Sequence, residues 1–127
     1  MTQLKILVID DEPDIRSLLK EHLMELGHVV HEAEDGGVGF MKFKKMEYDL
    51  VICDVNMPKM TGYEVVEAIR QCNKKIKIVM LTACGGEDLV KKIVALGISG
   101  YMLKPFDFEK VKARLEKIFG PMEATEE

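Results

Sequence analysis

Four aliphatic runs in this chain each hand over to a polar residue. Ile6-Leu7-Val8-Ile9 ends at Asp10 and Asp11, Leu50-Val51-Ile52-Cys53 at Asp54, Ile78-Val79-Met80-Leu81 at Thr82, and Tyr101-Met102-Leu103 at Lys104 before Pro105. Runs that are apolar at every position suit strands buried on both faces, as in a parallel sheet covered by helices. The segments between them carry helical periodicity, so the chain reads as repeated strand–helix units, five strands and five helices. Ligands of open parallel α/β sheets bind beyond the carboxyl ends of the strands, where the crossover loops diverge. The five polar residues are therefore expected to converge.

The first helix is expected from Pro13, a residue suited to a first helical turn, to a stop at Gly27, with Ile15, Leu18, Leu19 and Leu23 as its inward stripe. A strand follows near Val29 to Ala33, then a helix from about Gly37 to Lys45 with Phe40, Met41 and Phe43. The loop Asn56 to Gly62 leads into a helix over Tyr63 to Gln71, in which Val66, Ile69 and Arg70 divide the inner from the outer face, and a central strand covers Ile76 to Leu81. The last two helices are expected over Glu87 to Leu96 and Phe108 to Phe119, the latter with Val111, Leu115 and Ile118 recurring at helical spacing. Residues 1–120 read as one domain, and 121–127 as a short acidic tail or the start of a linker.

A length of 127 residues, 47% of them hydrophobic, suits a single core. The formal net charge of −4 disfavours direct binding to nucleic acid. Cys53, Cys72 and Cys84 show neither disulfide pairing nor zinc spacing, which points to a reducing, cytoplasmic setting. No apolar stretch is long enough to cross a bilayer and no leader is visible.

Three carboxylates meeting at one sheet edge cannot all stay ionised uncompensated, so the cluster implies a bound cation or raised pKa values. A carboxylate is also a nucleophile toward phosphorus, and Asp54 is the candidate. Asp10, Asp11 and Asp54, with the backbone carbonyl of Asn56, suit Mg²⁺, while the Lys104 ammonium suits a phosphoryl oxygen. The Thr82 hydroxyl can donate to the same oxygens and so report whether a phosphoryl group is present. Gly36-Gly37-Val38-Gly39 meets no phosphate-loop spacing and reads as a turn. His22, His28 and His31 show no ligand or triad arrangement and read as surface or packing residues.

The segments Ile9-Asp10-Asp11-Glu12, Cys53 to Pro58 with Gly62, Leu81-Thr82-Ala83 and Leu103-Lys104-Pro105-Phe106 together resemble the receiver domain of two-component response regulators, over nearly the whole chain. The resemblance implies a doubly wound, flavodoxin-like and CheY-like sheet of order 2-1-3-4-5 flanked by five helices. By position it makes Asp54 the phosphoacceptor, Asp10, Asp11 and the Asn56 carbonyl the Mg²⁺ ligands, Lys104 the phosphate partner and Thr82 the switch hydroxyl. Tyr101 falls where the family keeps an aromatic residue that swings inward with the threonine. Asn56 and Cys84, each two residues past a key position, are expected to tune the lifetime of the aspartyl phosphate.

The resemblance further implies a sensor histidine kinase or phosphotransfer protein as donor. The receiver would catalyse its own phosphorylation and dephosphorylation, as a signalling module and not a metabolic enzyme. Output would pass to a protein target through helix 4, strand 5 and helix 5, with the chain a monomer or a weak phosphorylation-dependent dimer. A stand-alone regulator is favoured over the N-terminal receiver of a longer one. Two rival classes fit less well. A haloacid-dehalogenase-type phosphatase would want an aspartate where Asn56 stands and usually a cap module. A flavodoxin-type binder would place a phosphate loop where the acidic Asp10-Asp11-Glu12 lies.

Overall fold

The computed structural model describes residues 3–83 and 87–121. Five strands alternate with five helices in the order β1 (Lys5–Ile9), α1 (Pro13–Glu25), β2 (Val29–Ala33), α2 (Gly36–Lys45), β3 (Leu50–Asp54), α3 (Gly62–Cys72), β4 (Lys77–Thr82), α4 (Glu87–Ala95), β5 (Gly100–Leu103) and α5 (Phe108–Phe119). All pairings are parallel, and the sheet order is β2-β1-β3-β4-β5. The boundaries agree with the periodicity to within a residue or two, and the doubly wound order is the one the resemblance implies.

The uninterrupted apolar strands are explained by two cores, one on each face of the sheet. Leu7, Ile9, Val51, Cys53, Ile78 and Met80 point into a layer closed by Phe43 of α2 and Val65, Val66 and Ile69 of α3. Their neighbours Ile6, Val8, Leu50, Ile52, Val79 and Leu81 point the other way, onto Leu19 and Leu23 of α1 and Val111 and Leu115 of α5. A strand has a period of two, so a chain that buries both sides must be apolar at every position.

Helix starts follow local chemistry. Pro13 opens α1, where its missing N–H is no loss. Asp35 caps α2 by accepting from Val38 N at 2.8 Å, Asp107 caps α5 by accepting from Lys110 N at 2.9 Å, and Thr61 with Glu64 forms a reciprocal capping box on α3.

The reading of Gly36 to Gly39 as a turn is corrected: these residues are the first turn of α2. Their role is close packing. A Cβ on Gly39 would come within 2.5 Å of Ile9 Cδ1, and one on Gly36 within 2.7 Å of Val65 Cγ2, so both glycines let α2 lie hard against β1 and α3.

Candidate functional site

The register of the sheet places the site. Ile9 pairs with Cys53, so the next residues along, Asp10 and Asp54, come level at adjacent strand ends. Asp54 pairs with Leu81, which sets Thr82 one step further, and Thr82 pairs with Leu103, which sets Lys104 one step further again. Lys104 N donates to Thr82 O at 2.8 Å, fixing the base of the lysine, and the Lys104–Pro105 peptide is cis.

Lys104 is the hub of the cluster. Its Nζ lies 2.8 Å from Glu12 Oε1, 3.2 Å from Asp10 Oδ2 and 3.4 Å from Asp54 Oδ1. Asp10 and Asp54 are buried, Asp11 is partly exposed and Glu12 is exposed, and one carboxylate oxygen from each of the four lies within 4.8 Å of the others. Backbone amides hold the two buried acids: Glu12 N donates to Asp10 Oδ1 at 2.8 Å and Asn56 N to Asp54 Oδ1 at 3.4 Å. Arg16 Nη1 donates to Asp10 O at 2.7 Å, which fixes the strand end itself.

The electrostatics follow from burial and like charge. Desolvation, with Asp10 beside it, pushes the Asp54 carboxyl up to about 6, against the pull of Lys104 and the Asn56 amide. Asp10 is raised too, chiefly by burial. Burial works against the Lys104 ammonium, but the Glu12 hydrogen bond and the charges of Asp10 and Asp54 outweigh it and hold the group above the ordinary lysine range. The fully buried Cys53 thiol is pushed up by desolvation and by the same two aspartates, which leaves it inert.

Two further features shape the pocket. Thr82 is buried and its Oγ1 has no hydrogen-bond partner among the described residues, an arrangement that costs stability unless something else accepts or donates there. Gly62 packs against the chain leaving β3: a Cβ there would lie 2.3 Å from Asp54 O and 2.8 Å from Val55 Cα, and Gly62 N donates to Val55 O at 2.9 Å. Asn56 is exposed on that loop. Tyr101 is 44% exposed, with its ring outward. Cys84 lies outside the described residues, as do Gly85 and Gly86.

Asp10, Asp11, Asp54 and Lys104 are thus brought together as the sequence reading expected. Glu12, absent from the expected set although it sits in the quoted Asp10-Asp11-Glu12 segment, makes the shortest contact to Lys104. The signal was the run of three acids itself, read only for its first two. The histidines stay outside the site: His28 Nδ1 accepts from Leu4 N at 3.0 Å, and His31 Nδ1 meets Tyr48 OH at 2.8 Å. The hard oxygen donors fit a hard divalent cation, and the unpartnered Thr82 hydroxyl fits an incoming anion. No helix among the described residues is long and apolar enough to cross a membrane.

A doubly wound parallel sheet with an acidic cluster and a buried-stem lysine at its carboxyl edge defines a flavodoxin-like α/β domain with a hard-oxygen donor set suited to a divalent cation. The model of the response regulator receiver domain matches residues 6–116, and the chain belongs to that family. It is 37% identical over 123 residues to a probable chemotaxis protein CheY of Rhizobium etli, covering 94% of this chain and 95% of that protein. Chemotaxis protein CheY4 of Vibrio cholerae superposes with a TM-score of 0.88 at 34% identity, covering 93% of this chain and all of that one. Response regulator TrrA of Thermotoga maritima, solved in complex with Mg(2+)-BeF, gives a TM-score of 0.82 at 39% identity, over 93% of this chain and 100% of that one. The chain also matches transcriptional regulatory proteins, of which it spans about half the length. A stand-alone regulator and the receiver part of a longer one are both compatible with these relationships.

Proposed function

We propose that Asp54 accepts a phosphoryl group from the phosphohistidine of a sensor kinase or phosphotransfer protein, with Asp10, Asp11, Asp54 and the Asn56 carbonyl as the Mg²⁺ set. In the transfer an Asp54 carboxylate oxygen forms a bond to phosphorus, the P–N bond breaks, and its electron pair returns to the imidazole nitrogen. A bound Mg²⁺ would neutralise charge on the equatorial phosphoryl oxygens. Lys104 contributes a fixed positive charge to the same oxygens, and Thr82 offers a hydroxyl donor on the neighbouring strand. Cys84, with Asn56, is assigned to tuning how long the aspartyl phosphate survives.

The observation that carries this reading is the convergence of three carboxylates on one ammonium beside a buried hydroxyl that has no partner among the described residues. Such a pocket suits a divalent cation together with an anionic group. The output is a population shift, since a group that favours one conformer moves the equilibrium by its differential affinity. Tyr101 is assigned to the switch with Thr82. The face of α4, β5 and α5 is assigned to the protein target, supported by exposed Tyr101 and Leu103 along a groove rimmed by Lys110, Arg114 and Lys117.

Intact-mass spectrometry after incubation with a small-molecule phosphodonor and Mg²⁺ tests the proposal. One added phosphoryl group is expected, dependent on Mg²⁺ and absent from Asp54→Asn. An adduct that persists in Asp54→Asn, or none in the parent protein under rapid quenching, refutes it.

A further inference from the structure

The Lys104 ammonium is not centred on the two buried aspartates. Its shortest contact, 2.8 Å, runs outward to Glu12, across 92 residues of sequence, while Asp54 Oδ1 stands at 3.4 Å, beyond a good charged hydrogen bond. The lysine side chain is 12% exposed and that of Glu12 58% exposed, so Glu12 holds the ammonium from the solvent side. The lysine backbone is tied to Thr82, and the Glu12 backbone is tied to Asp10, so the side chains alone are free to exchange partners. The Glu12 side chain makes no capping hydrogen bond to α1, although it occupies the N-cap position, so the start of the helix does not require its charge.

From this geometry we propose that Glu12 is a positioning residue, a latch that draws the Lys104 ammonium away from Asp54 until a phosphoryl group displaces it. The inference rests on the phosphoacceptor reading of Asp54. Phosphorylation replaces one carboxylate charge by a group carrying between one and two negative charges and three strong acceptor oxygens. The ammonium then has a better partner inward. Of its three carboxylate partners, Glu12 is the one that water can solvate on release, so the exchange leaves no buried charge unpaired. Removing the latch leaves Lys104 available earlier, and the rate of phosphorylation rises.

The test compares the parent protein with Glu12→Gln and Glu12→Asp. At saturating small-molecule phosphodonor and Mg²⁺, Glu12→Gln is expected to phosphorylate about two- to fivefold faster, the span of a half-exposed ion pair, with little change in the KM for the donor. Glu12→Asp keeps the charge but shortens the reach by one methylene, and is expected to behave like Glu12→Gln. A gain confined to KM, with Glu12→Asp matching the parent, would assign the effect to repulsion of the anionic donor and overturn the latch. So would an unchanged or slower rate in Glu12→Gln.

A second measurement does not depend on phosphorylation. In metal-free protein with ¹⁵N-labelled lysine, the Lys104 Nζ signal, assigned by its loss in Lys104→Arg, is expected to shift in both Glu12 variants. An unmoved signal overturns the contact itself. If the parent protein takes no phosphoryl group while the signal does shift, the phosphoacceptor reading has failed and Glu12–Lys104 is only a static ion pair.

Discussion

Replacing Asp54 by asparagine isolates what it costs the fold to keep a carboxylate buried beside a second one. The ordinary carboxyl value of 3.8 describes the unfolded chain, and the folded value is about 6. For an acid raised in this way the folded state binds the proton more tightly. The group therefore favours folding below pH 3.8, and that advantage is lost progressively as pH rises to about 6. At about 1.4 kcal/mol per pH unit, the interval sets a ceiling of about 3 kcal/mol of destabilisation at neutral pH. The asparagine side chain cannot ionise, but Lys104 loses one of three partners, so a net gain of about 1 to 2.5 kcal/mol is expected. For a domain of this length that is a rise of about 4–10 °C in Tm.

The assay is thermal unfolding followed by circular dichroism in chelator, at about pH 7.5 and about pH 4. The gain should be present at the higher pH and nearly absent at the lower one. Added Mg²⁺ should stabilise the parent protein more than the variant, since a ligand that binds only the folded state adds its binding free energy. A variant less stable than the parent at the higher pH, or a gain that does not vary with pH, refutes the reasoning.

Gly62→Ala is expected to lose about 2–3 kcal/mol, read as a lower urea midpoint, because its Cβ meets the Asp54 carbonyl and Val55 Cα, which are backbone atoms that cannot rotate away. Gly39→Ala should lose less than Gly62→Ala in the same assay, since the atoms nearest its Cβ belong to the Ile9 side chain rather than to the backbone, and alanine recovers about 1 kcal/mol of helix propensity. Thr61→Ala removes the capping box of α3 and is expected to cost about 1 kcal/mol in the same denaturation, without altering phosphorylation. Arg70→Lys should not rescue the stability lost in Arg70→Ala. The guanidinium donates to Gly97 O at 2.8 Å, Leu96 O at 3.3 Å and Asn73 O at 3.1 Å, a fork that one ammonium cannot reproduce.

The central strands β1, β3 and β4 were legible because burial on both faces keeps their interiors apolar up to the polar residue at the carboxyl end, which located Asp10, Asp54 and Thr82. The edge strands follow no such rule: β2 carries His31 and Glu32, and β5, which leads to Lys104, exposes Tyr101 and Leu103. Contacts that depend on the third dimension were not legible. Gly36 to Gly39 read as a turn because they meet no phosphate-loop spacing, although the helical periodicity already begins near Gly37; the approach of Ile9 and Val65, which gives Gly36 and Gly39 their packing role, is a tertiary fact. Arg70 looked like a residue on the outer half of α3, yet it satisfies the free carbonyls where α4 ends. Glu12 was passed over because the acidic run was read only for Asp10 and Asp11, and the run by itself does not show that Lys104 arrives there from another strand.

The same residues explain why the pocket is stable enough to exist and unstable enough to respond. Asp10 and Asp54 are buried on a rigid sheet end and cannot separate, so their repulsion is relieved by taking up a proton, by Lys104 or by a cation. Lys104 is in turn divided among three acids, and the Thr82 hydroxyl is buried with no partner among the described residues. Each of these is a modest deficit. Under the proposed function a divalent cation and a phosphoryl group together would remove all of them, and the free energy of binding would go into rearranging Lys104 and Thr82, at the ends of β5 and β4. Of the two strands, β5 carries the exposed Tyr101 and Leu103, on the face assigned above to the protein target. A pocket already satisfied without ligand would bind no less specifically, but it would have nothing to move.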